Sequence, residues 1–160
     1  MGWKYPPPLV GGVRGGRGTD TQLLKKALRK LKNNKGVYTL SKKILIIEDE
    51  DEFFFFYTMM FEGTDYSVNR ALDGKQAFEK IKEDKPDLII LDLLLDEMTG
   101  DAFLKQLKSD PSYASIPIII ASSFSPRSYK TILEIDPTLV FLEKPFTQEI
   151  LLASIEARLG

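Results

Sequence analysis

The sequence of 160 residues contains no cysteine and no histidine. Without cysteine the chain cannot form a disulfide framework or a thiolate metal site, and without histidine it lacks the commonest general base and zinc ligand. Any chemistry that the protein carries must therefore use carboxylates, hydroxyl groups and lysines.

Long hydrophobic runs are also missing. The chain has no stretch of 18 or more apolar residues, so it predicts neither a membrane span nor a secretory signal, and a cytoplasmic protein is the default expectation. The apolar fraction of 43% and the aromatic fraction of 11% are nevertheless sufficient for the core of one domain of ordinary size.

Acidic residues are nearly absent from the start of the chain. Residues 1–43 contain eleven Lys and Arg and a single acid, Asp20, whereas the rest of the chain contains eleven Lys and Arg and twenty-two acids. This change of charge indicates a boundary between a basic N-terminal extension, residues 1–41, and an acidic domain, residues 42–160. Residues 1–18 hold six of the eleven glycines and a triple proline, a composition that predicts disorder.

A basic amphipathic helix is predicted over residues 21–33. At about 100° per residue, the leucines and the alanine of DTQLLKKALRKLKNNKG fall on one side and the basic residues on the other. Such a helix could lie on an anionic membrane, contact nucleic acid, or pack on its own domain or on a second copy. We favour a solvated helix with one docked face, because the segment has no aromatic anchors. Nucleic acid is therefore not an expected partner. A homodimer stays possible as a prediction.

The rest of the chain alternates short apolar runs with segments that have a helical pattern. This alternation predicts an α/β domain in which five parallel strands are covered by five flanking helices. We expect the second helix to begin at Asp73 or Gly74 and the fifth at Thr147. The predicted strands are Ile44–Ile47, Tyr66–Ala71, Leu88–Leu91, Ile116–Ala121 and Leu139–Leu142, and the predicted helices span 50–62, 74–84, 100–109, 126–134 and 147–159.

Polar residues follow four of the predicted strands at the point where each strand ends. Glu48 and Asp49 follow the first, Asp92 the third, Ser122 the fourth and Lys144 the fifth. The carboxyl ends of parallel strands are where open α/β sheets place their sites. Three carboxylates that converge there repel one another unless a cation neutralises them, and a hard divalent ion such as Mg²⁺ fits oxygen ligands. With a lysine and a hydroxyl nearby, the site suits a phosphoryl group, and Asp92 becomes a candidate nucleophile.

Four separated motifs carry a resemblance to a known family. KILIIEDE, PDLIILDLLLDEMTG, IPIIIASS and FLEKPFT, in this order and at these spacings, resemble the receiver domain of two-component response regulators over residues 42–160. The resemblance implies a flavodoxin-like, doubly wound sheet with the strand order 2-1-3-4-5.

The resemblance also implies roles for the site residues. Glu48, Asp49 and Asp92, with the backbone carbonyl of Leu94, would hold Mg²⁺, and Asp92 would accept the phosphoryl group.

The remaining roles implied by the family belong to the ends of the fourth and fifth strands. Ser122 and Lys144 would contact the phosphoryl oxygens, and Phe141 would be the aromatic switch that reports the state of Ser122. Pro145 would follow Lys144 through a cis peptide bond that directs the lysine into the site.

Family membership would make the protein a signalling module that catalyses only its own phosphorylation and dephosphorylation. Its phosphodonor would be a histidine kinase or a phosphotransfer protein. Because the chain is expected to end with the fifth helix, its output would pass through a downstream protein or through the basic extension. Two alternatives stay open: a receiver-like scaffold that is never phosphorylated, and an aspartyl phosphatase, although the latter needs an acid where Leu94 stands.

Three positions depart from the family pattern. Asp96 stands where a proline is usual, Ser122 replaces the commoner threonine, and Asp136-Pro137 replaces a frequent Gly-Ala turn. We expect a more acidic loop after Asp92 and a reshaped end of the fourth helix.

The stretch IIEDEDEFFFFYTMMF places more aromatic residues on the first helix than one buried face needs. The helical periodicity predicts a sheet-facing arc of Phe53, Phe54, Tyr57 and Phe61, an outward stripe of Phe55 and Met59, and Phe56 on the border. An exposed apolar stripe usually marks a contact. The alternative is that the fifth helix covers Phe55.

Overall fold

The apolar runs of the sequence form the strands of a single parallel sheet. The computed structural model describes residues 41–95, 98–123 and 130–160. The predicted disorder of 1–18, the basic helix of 21–33 and the loop position Asp96 lie outside these residues. The strands are β1 (Lys43–Ile47), β2 (Ser67–Ala71), β3 (Leu88–Leu91), β4 (Ile118–Ser122) and β5 (Val140–Glu143).

The strand order is β2-β1-β3-β4-β5, and every neighbouring pair is parallel. This is the flavodoxin-like order that the motifs predicted, so the predicted fold class is confirmed. The central strands β1 and β3 are apolar throughout and buried on both faces, apart from Lys43 at the first position, as expected for a parallel sheet with helices on both sides.

Five helices lie among the described residues and connect the strands. They are α1 (Asp51–Met60), α2 (Gly74–Glu83), α3 (Gly100–Ser109), α4 (Lys130–Ile135) and α5 (Gln148–Leu159). In this part of the chain, no helix is long and apolar enough to cross a membrane.

Two predicted helix starts are confirmed by capping hydrogen bonds. The side chain of Asp73 accepts a hydrogen bond from the backbone N–H of Gln76 at 2.7 Å, and that of Thr147 accepts one from Ile150 at 3.4 Å. Both side chains satisfy a backbone donor that the first turn of a helix leaves without an intrahelical partner.

Several predicted boundaries were wrong by one or two residues. The fourth strand begins at Ile118, two residues late, because Pro117 has no N–H to donate to a strand neighbour. It also extends through Ser122. The first helix ends at Met60 and not at residue 62, and the second strand begins at Ser67 and not at Tyr66. The predicted fourth helix lies partly outside the described residues, and its described part ends at Ile135.

The helices cover the sheet as two separate layers. One face packs the apolar sides of α2 and α3 on the sheet, with Phe103 fully buried at the centre, and the other packs α1 and α5, with Tyr57 and Leu151 buried. This division places the carboxyl ends of the strands at one edge of the sheet, between the two layers.

The turn after α4 is held by the side chain of Asp136. One of its oxygens accepts hydrogen bonds from the backbone N–H and the hydroxyl of Thr138, and the other pairs with Lys108 of α3 at 2.9 Å. Burial alone would raise the pKa of Asp136, but the hydrogen bonds from Thr138 and Lys108 outweigh it and lower this pKa to about 2. The unusual Asp136-Pro137 turn is therefore an ordered element that ties α4 to α3.

Candidate functional site

Two buried carboxylates lie side by side at the carboxyl edge of the sheet. Because β1 and β3 are neighbours, Glu48 and Asp92 leave the sheet at the same level: the backbone N–H of Glu48 donates to Ala71 and that of Asp92 donates to Ile47, each at 3.0 Å. Both side chains are almost completely removed from solvent. Burying two acids is costly unless each has a charged or hydrogen-bonding partner.

Lys144 supplies that partner from the end of β5. Its Nζ atom lies 2.6 Å from Oε2 of Glu48 and 2.5 Å from Oδ2 of Asp92, and all three side chains are buried. The peptide bond between Lys144 and Pro145 is cis, as predicted. The structure therefore brings together three of the predicted site residues around a single ammonium group.

One lysine cannot fully compensate the two acids. Burial raises the pKa of the Glu48 carboxyl above its ordinary value, and this effect exceeds the opposing attraction of Lys144, while the nearby charge of Asp92 raises it further. The same edge also affects Tyr57: its burial, together with the charges of Glu48 and Asp92, raises the pKa of the phenol well above its ordinary value. The site thus has a surplus of negative charge that favours a cation.

Asp49 follows Glu48 and contributes the third carboxylate. Its Oδ1 atom is buried and has no hydrogen-bond partner among the described residues. Such an oxygen is available to bind a ligand. Within the described ranges, no three acidic side chains already surround a common point as a metal cage. The metal-binding roles of Glu48, Asp49 and Asp92 therefore stay predictions.

Arg70, which the sequence analysis did not select, fixes the backbone of the acidic loop. From β2 it donates to the carbonyl oxygen of Glu48 at 2.8 Å and to that of Asp49 at 2.7 Å, and it forms an ion pair with Asp51 at 2.5 Å. Its guanidinium group also lies 4.8 Å from the centre of the Phe54 ring. A basic residue near the end of the strand beside β1 was the only signal in the sequence.

The loop after Asp92 is held against the sheet by its own backbone. The N–H of Leu94 donates to Oδ1 of Asp92 at 2.9 Å, while the side chain of Leu94 is exposed and those of Leu93 and Leu95 are buried. Gly100 was not predicted to belong to the site, but a β-carbon there would lie 2.5 Å from the carbonyl oxygen of Asp92. Only glycine allows α3 to begin so close to the loop. Whether the Leu94 carbonyl binds a metal stays a prediction.

The two residues predicted to respond to phosphorylation lie on β4 and β5. Ser122 is buried at the end of β4, and its carbonyl oxygen accepts a hydrogen bond from the backbone N–H of Lys144 at 2.9 Å. Phe141 is half-buried and pairs in register with Ile120, two residues before Ser122. Since side chains two residues apart lie on one face of a strand, Phe141 and Ser122 share a face of the sheet. The switch role stays a prediction.

Phe53 belongs to the site as well as to the first helix. Its ring centre lies 4.0 Å from Nζ of Lys144, within the range of a cation–π contact. The helical pattern assigned this ring to the sheet-facing arc, and in the structure it is half-buried. The lysine is thus restrained by two carboxylates and one aromatic face.

The outward stripe predicted on α1 is confirmed. Phe55 and Met59 are 61% and 54% exposed, whereas Tyr57 and Phe61 are buried. Phe56, which was predicted to lie on the border, is 53% exposed and therefore extends the stripe. The alternative, in which the fifth helix covers Phe55, was wrong, since α5 packs on the Tyr57 side of α1.

The sequence is similar to those of known signalling proteins. The chain is 26% identical over 121 residues to the polar-differentiation response regulator DivK of Brucella anthropi, covering 76% of this chain and 98% of that protein. It is 32% identical over 90 residues to hybrid signal transduction histidine kinase D of Dictyostelium discoideum, covering 56% of this chain and only 6% of that protein.

A solved structure shares the fold, and a family model matches most of the chain. The receiver domain of a sensor histidine kinase from Pseudomonas aeruginosa, which holds a magnesium ion in its active-site cleft, superposes with a TM-score of 0.68 at 21% identity, covering 75% of this chain and 98% of that domain. The family model described as the response regulator receiver domain matches residues 44–156. This chain therefore belongs to the response regulator receiver domain family of two-component signalling.

Proposed function

We propose that the protein is a phosphoacceptor of a two-component or phosphorelay system that receives a phosphoryl group on Asp92. The observation that carries the proposal is the buried contact of Lys144 with Glu48 and Asp92 at the carboxyl edge of the sheet. The donor would be the phosphohistidine of a histidine kinase or a phosphotransfer protein, and a downstream protein would read the changed surface. The family is a signalling module, so the chain would act on its own aspartate and not on a separate substrate.

The chemistry that the residues support is a phosphoryl transfer between side chains. An oxygen of the Asp92 carboxylate attacks the phosphorus, the bond from phosphorus to the donor nitrogen breaks, and its electron pair leaves with the donor imidazole. Lys144 is placed to neutralise the transferred oxygens because its Nζ already contacts Asp92. Ser122, buried at the end of the next strand, would donate its hydroxyl to another phosphoryl oxygen.

We further propose that Glu48, Asp49 and Asp92, with the Leu94 carbonyl, hold a Mg²⁺ ion. The donor set fits, because all of these atoms are oxygens, the preferred ligands of a hard cation. The unpartnered buried oxygen of Asp49 and the raised pKa of Glu48 both point to charge that a cation would compensate. When bound, the ion would neutralise charge on the transferred phosphoryl group.

A second candidate function is a scaffold that binds partners without phosphorylation. The exposed aromatic surface of α1 favours it, because such a surface can bind a protein in the absence of any chemistry. The two functions differ in one measurable property, the formation of a covalent phosphoryl adduct.

The experiment is incubation of the full chain with Mg²⁺ and acetyl phosphate, followed by intact mass measurement. We expect one phosphoryl group per chain in the unmodified protein, none in Asp92→Asn, and none when Mg²⁺ is chelated. The matched control is Asp101→Asn, which removes an exposed acid on α3 and should leave the adduct unchanged.

Two results would contradict the proposal in different ways. An adduct that persists in Asp92→Asn and maps to another residue would remove Asp92 as the acceptor. A folded, Mg²⁺-binding protein that forms no adduct with acetyl phosphate or with any phosphohistidine donor would favour the scaffold. Calorimetric titration tests the metal site separately. If the Asp49 carboxylate is a ligand, Asp49→Asn should weaken Mg²⁺ binding by about tenfold or more.

A further inference from the structure

An apolar groove lies on the protein surface next to the proposed phosphorylation site. Its volume is about 280 Å³, and it is formed by one side of α1 and the loop that follows β5. The α1 side chains recur at helical spacing, and the loop contributes the segment around Pro145. Its lining residues are Phe53, Phe56, Tyr57, Met60, Lys144, Pro145 and Phe146.

The groove has the shape and chemistry of a site for one amphipathic helix. Its α1 side chains stand at positions i, i+3, i+4 and i+7, the spacing along which two helices interdigitate. Exposed apolar residues continue it on both sides, with Met59 on α1 and Ile150 on α5. Tyr57 belongs to the core beneath the groove, and Met60 and Phe146 are partly buried against that core, whereas Phe56 is 53% exposed.

The rim of the groove is acidic. Glu50 and Glu52 are exposed at the start of α1, Glu62 is exposed just after its end, and Glu149 is exposed on the first turn of α5. The sequence of α1 contains no basic residue. A helix that fits here would therefore present an apolar ridge flanked by lysine and arginine.

The chain itself contains one segment of that composition. Leu24, Leu28 and Leu31 fall on one face of the predicted helix of residues 21–33, and Arg29 lies on the opposite face among lysines. The length also fits, since the thirteen residues of the segment would span about 20 Å as a helix and the ten residues of α1 span about 15 Å.

The point at which the described chain begins places this segment within reach. Ser41 hydrogen-bonds to the carbonyl oxygen of Asp65, and the carbonyl of Lys42 accepts from the N–H of Ser67 at 2.9 Å. The chain therefore enters beside the C-terminal end of α1, where Met60 lines the groove. Residues 33–41, if extended, span about 30 Å, which is twice the length of α1.

We propose that the basic segment of residues 21–33 docks in the α1 groove of its own chain, with its leucine face on Phe56 and Met60. Tethering makes the encounter intramolecular, with an effective concentration on the order of millimolar. The docking does not depend on the proposed function.

The absence of native cysteine allows a direct test by disulfide trapping in the full chain. Leu28→Cys with Phe56→Cys pairs the leucine face with the groove, and Arg29→Cys with Phe56→Cys is the matched control on the opposite face of the segment. Leu28→Cys with Gln106→Cys tests for random collision, since Gln106 is exposed on α3 across the sheet. We expect the first pair to form an intramolecular disulfide about tenfold faster than either control.

Each result decides between occupants. Equal rates for the three pairs, in variants whose unfolding transitions match the parent, would overturn the proposal. A disulfide-linked dimer formed by the first pair at low protein concentration would also overturn it and assign the groove to a second copy. Because disulfide formation does not depend on phosphorylation, a protein that docks but forms no adduct would contradict the proposed function alone.

Discussion

Helices α1 and α2 have the same length and follow neighbouring strands, yet their sequences obey different rules. In α2, GKQAFEKIKE, the small and apolar residues Ala77 and Ile81 are buried, Lys75 and Lys82 are exposed, and Asp73 caps the first turn. In α1, DEFFFFYTMM, the side chain of Glu50 caps no N–H group of the described chain, and three large apolar residues are exposed. Packing explains all of α2 but only half of α1.

The difference separates the residues of a helix that serve folding from those that serve function. The buried stripe of each helix matches the sheet beneath it, and the two stripes lie on opposite faces of that sheet. What remains on α1 is apolar surface beside Lys144 and the acidic rim. Exposing this surface does not stabilise the fold, so the surplus is best explained by a contact.

The largest expected effect tests whether the buried stripes of α1 and α2 contribute equally to the free energy of unfolding. Phe61→Ala on α1 and Ile81→Ala on α2 each remove a buried side chain, so we expect losses of about 3–5 and about 2–5 kcal/mol in the free energy of unfolding. Urea unfolding monitored by circular dichroism measures both. A loss below about 1 kcal/mol for Phe61→Ala would mean that α1 is not docked through this residue. If either variant fails to fold, Phe61→Leu and Ile81→Val provide smaller steps.

An intermediate effect would show that α1, unlike α2, takes part in the chemistry. Phe53→Leu removes the ring that lies over Lys144, and we expect the rate of phosphorylation by acetyl phosphate to fall about fivefold, equivalent to about 1 kcal/mol. Phe78→Leu on α2 is the matched control, since its ring packs on Phe103 in the core and should leave the rate unchanged.

Phe53→Tyr separates positioning from packing. It retains the aromatic face and should restore most of the rate lost in Phe53→Leu. If Phe53→Leu and Phe78→Leu slow the reaction equally, the effect is one of general stability and the positioning role of Phe53 is wrong.

The smallest expected effect concerns the outward stripe. Phe55→Lys combined with Met59→Glu should change the free energy of unfolding by less than about 0.5 kcal/mol, because both side chains are already more than half exposed. Phosphorylation by acetyl phosphate should also be preserved, while binding of a protein partner or self-association through this stripe should be lost. A loss of folding would place the stripe in the core, against the exposures observed.

Much of the site was predictable from the order of residue types along the chain. Glu48, Asp49, Asp92, Ser122 and Lys144 were located because each follows a strand, and parallel strands bring their ends to one edge whatever the details of packing. In the structure, the side chain of Lys144 contacts both buried acids. A rule about topology was therefore sufficient to gather the principal residues of the candidate site.

The supporting residues were not predictable in this way. Arg70 lies inside a strand, Gly100 at an ordinary helix start, and Phe53 in a run of identical residues, so nothing in their local sequence distinguishes them. Their roles arise from contacts between elements far apart in the chain, such as the approach of α3 to the Asp92 carbonyl. Sequence periodicity describes the faces of one element and carries no information about what another element places against them.

The sequence by itself determined the class of the domain, the strand order implied by its motifs, the acidic edge, and the division of α1 into an inner and an outward stripe. These properties follow from hydrophobic periodicity and from the fixed geometry of parallel strands. Only the tertiary structure decided that a single ammonium group joins Glu48 and Asp92, that an aromatic ring covers it, and that α5 leaves Phe55 exposed. Such outcomes depend on distances of a few ångströms between side chains, which close packing sets and local sequence does not.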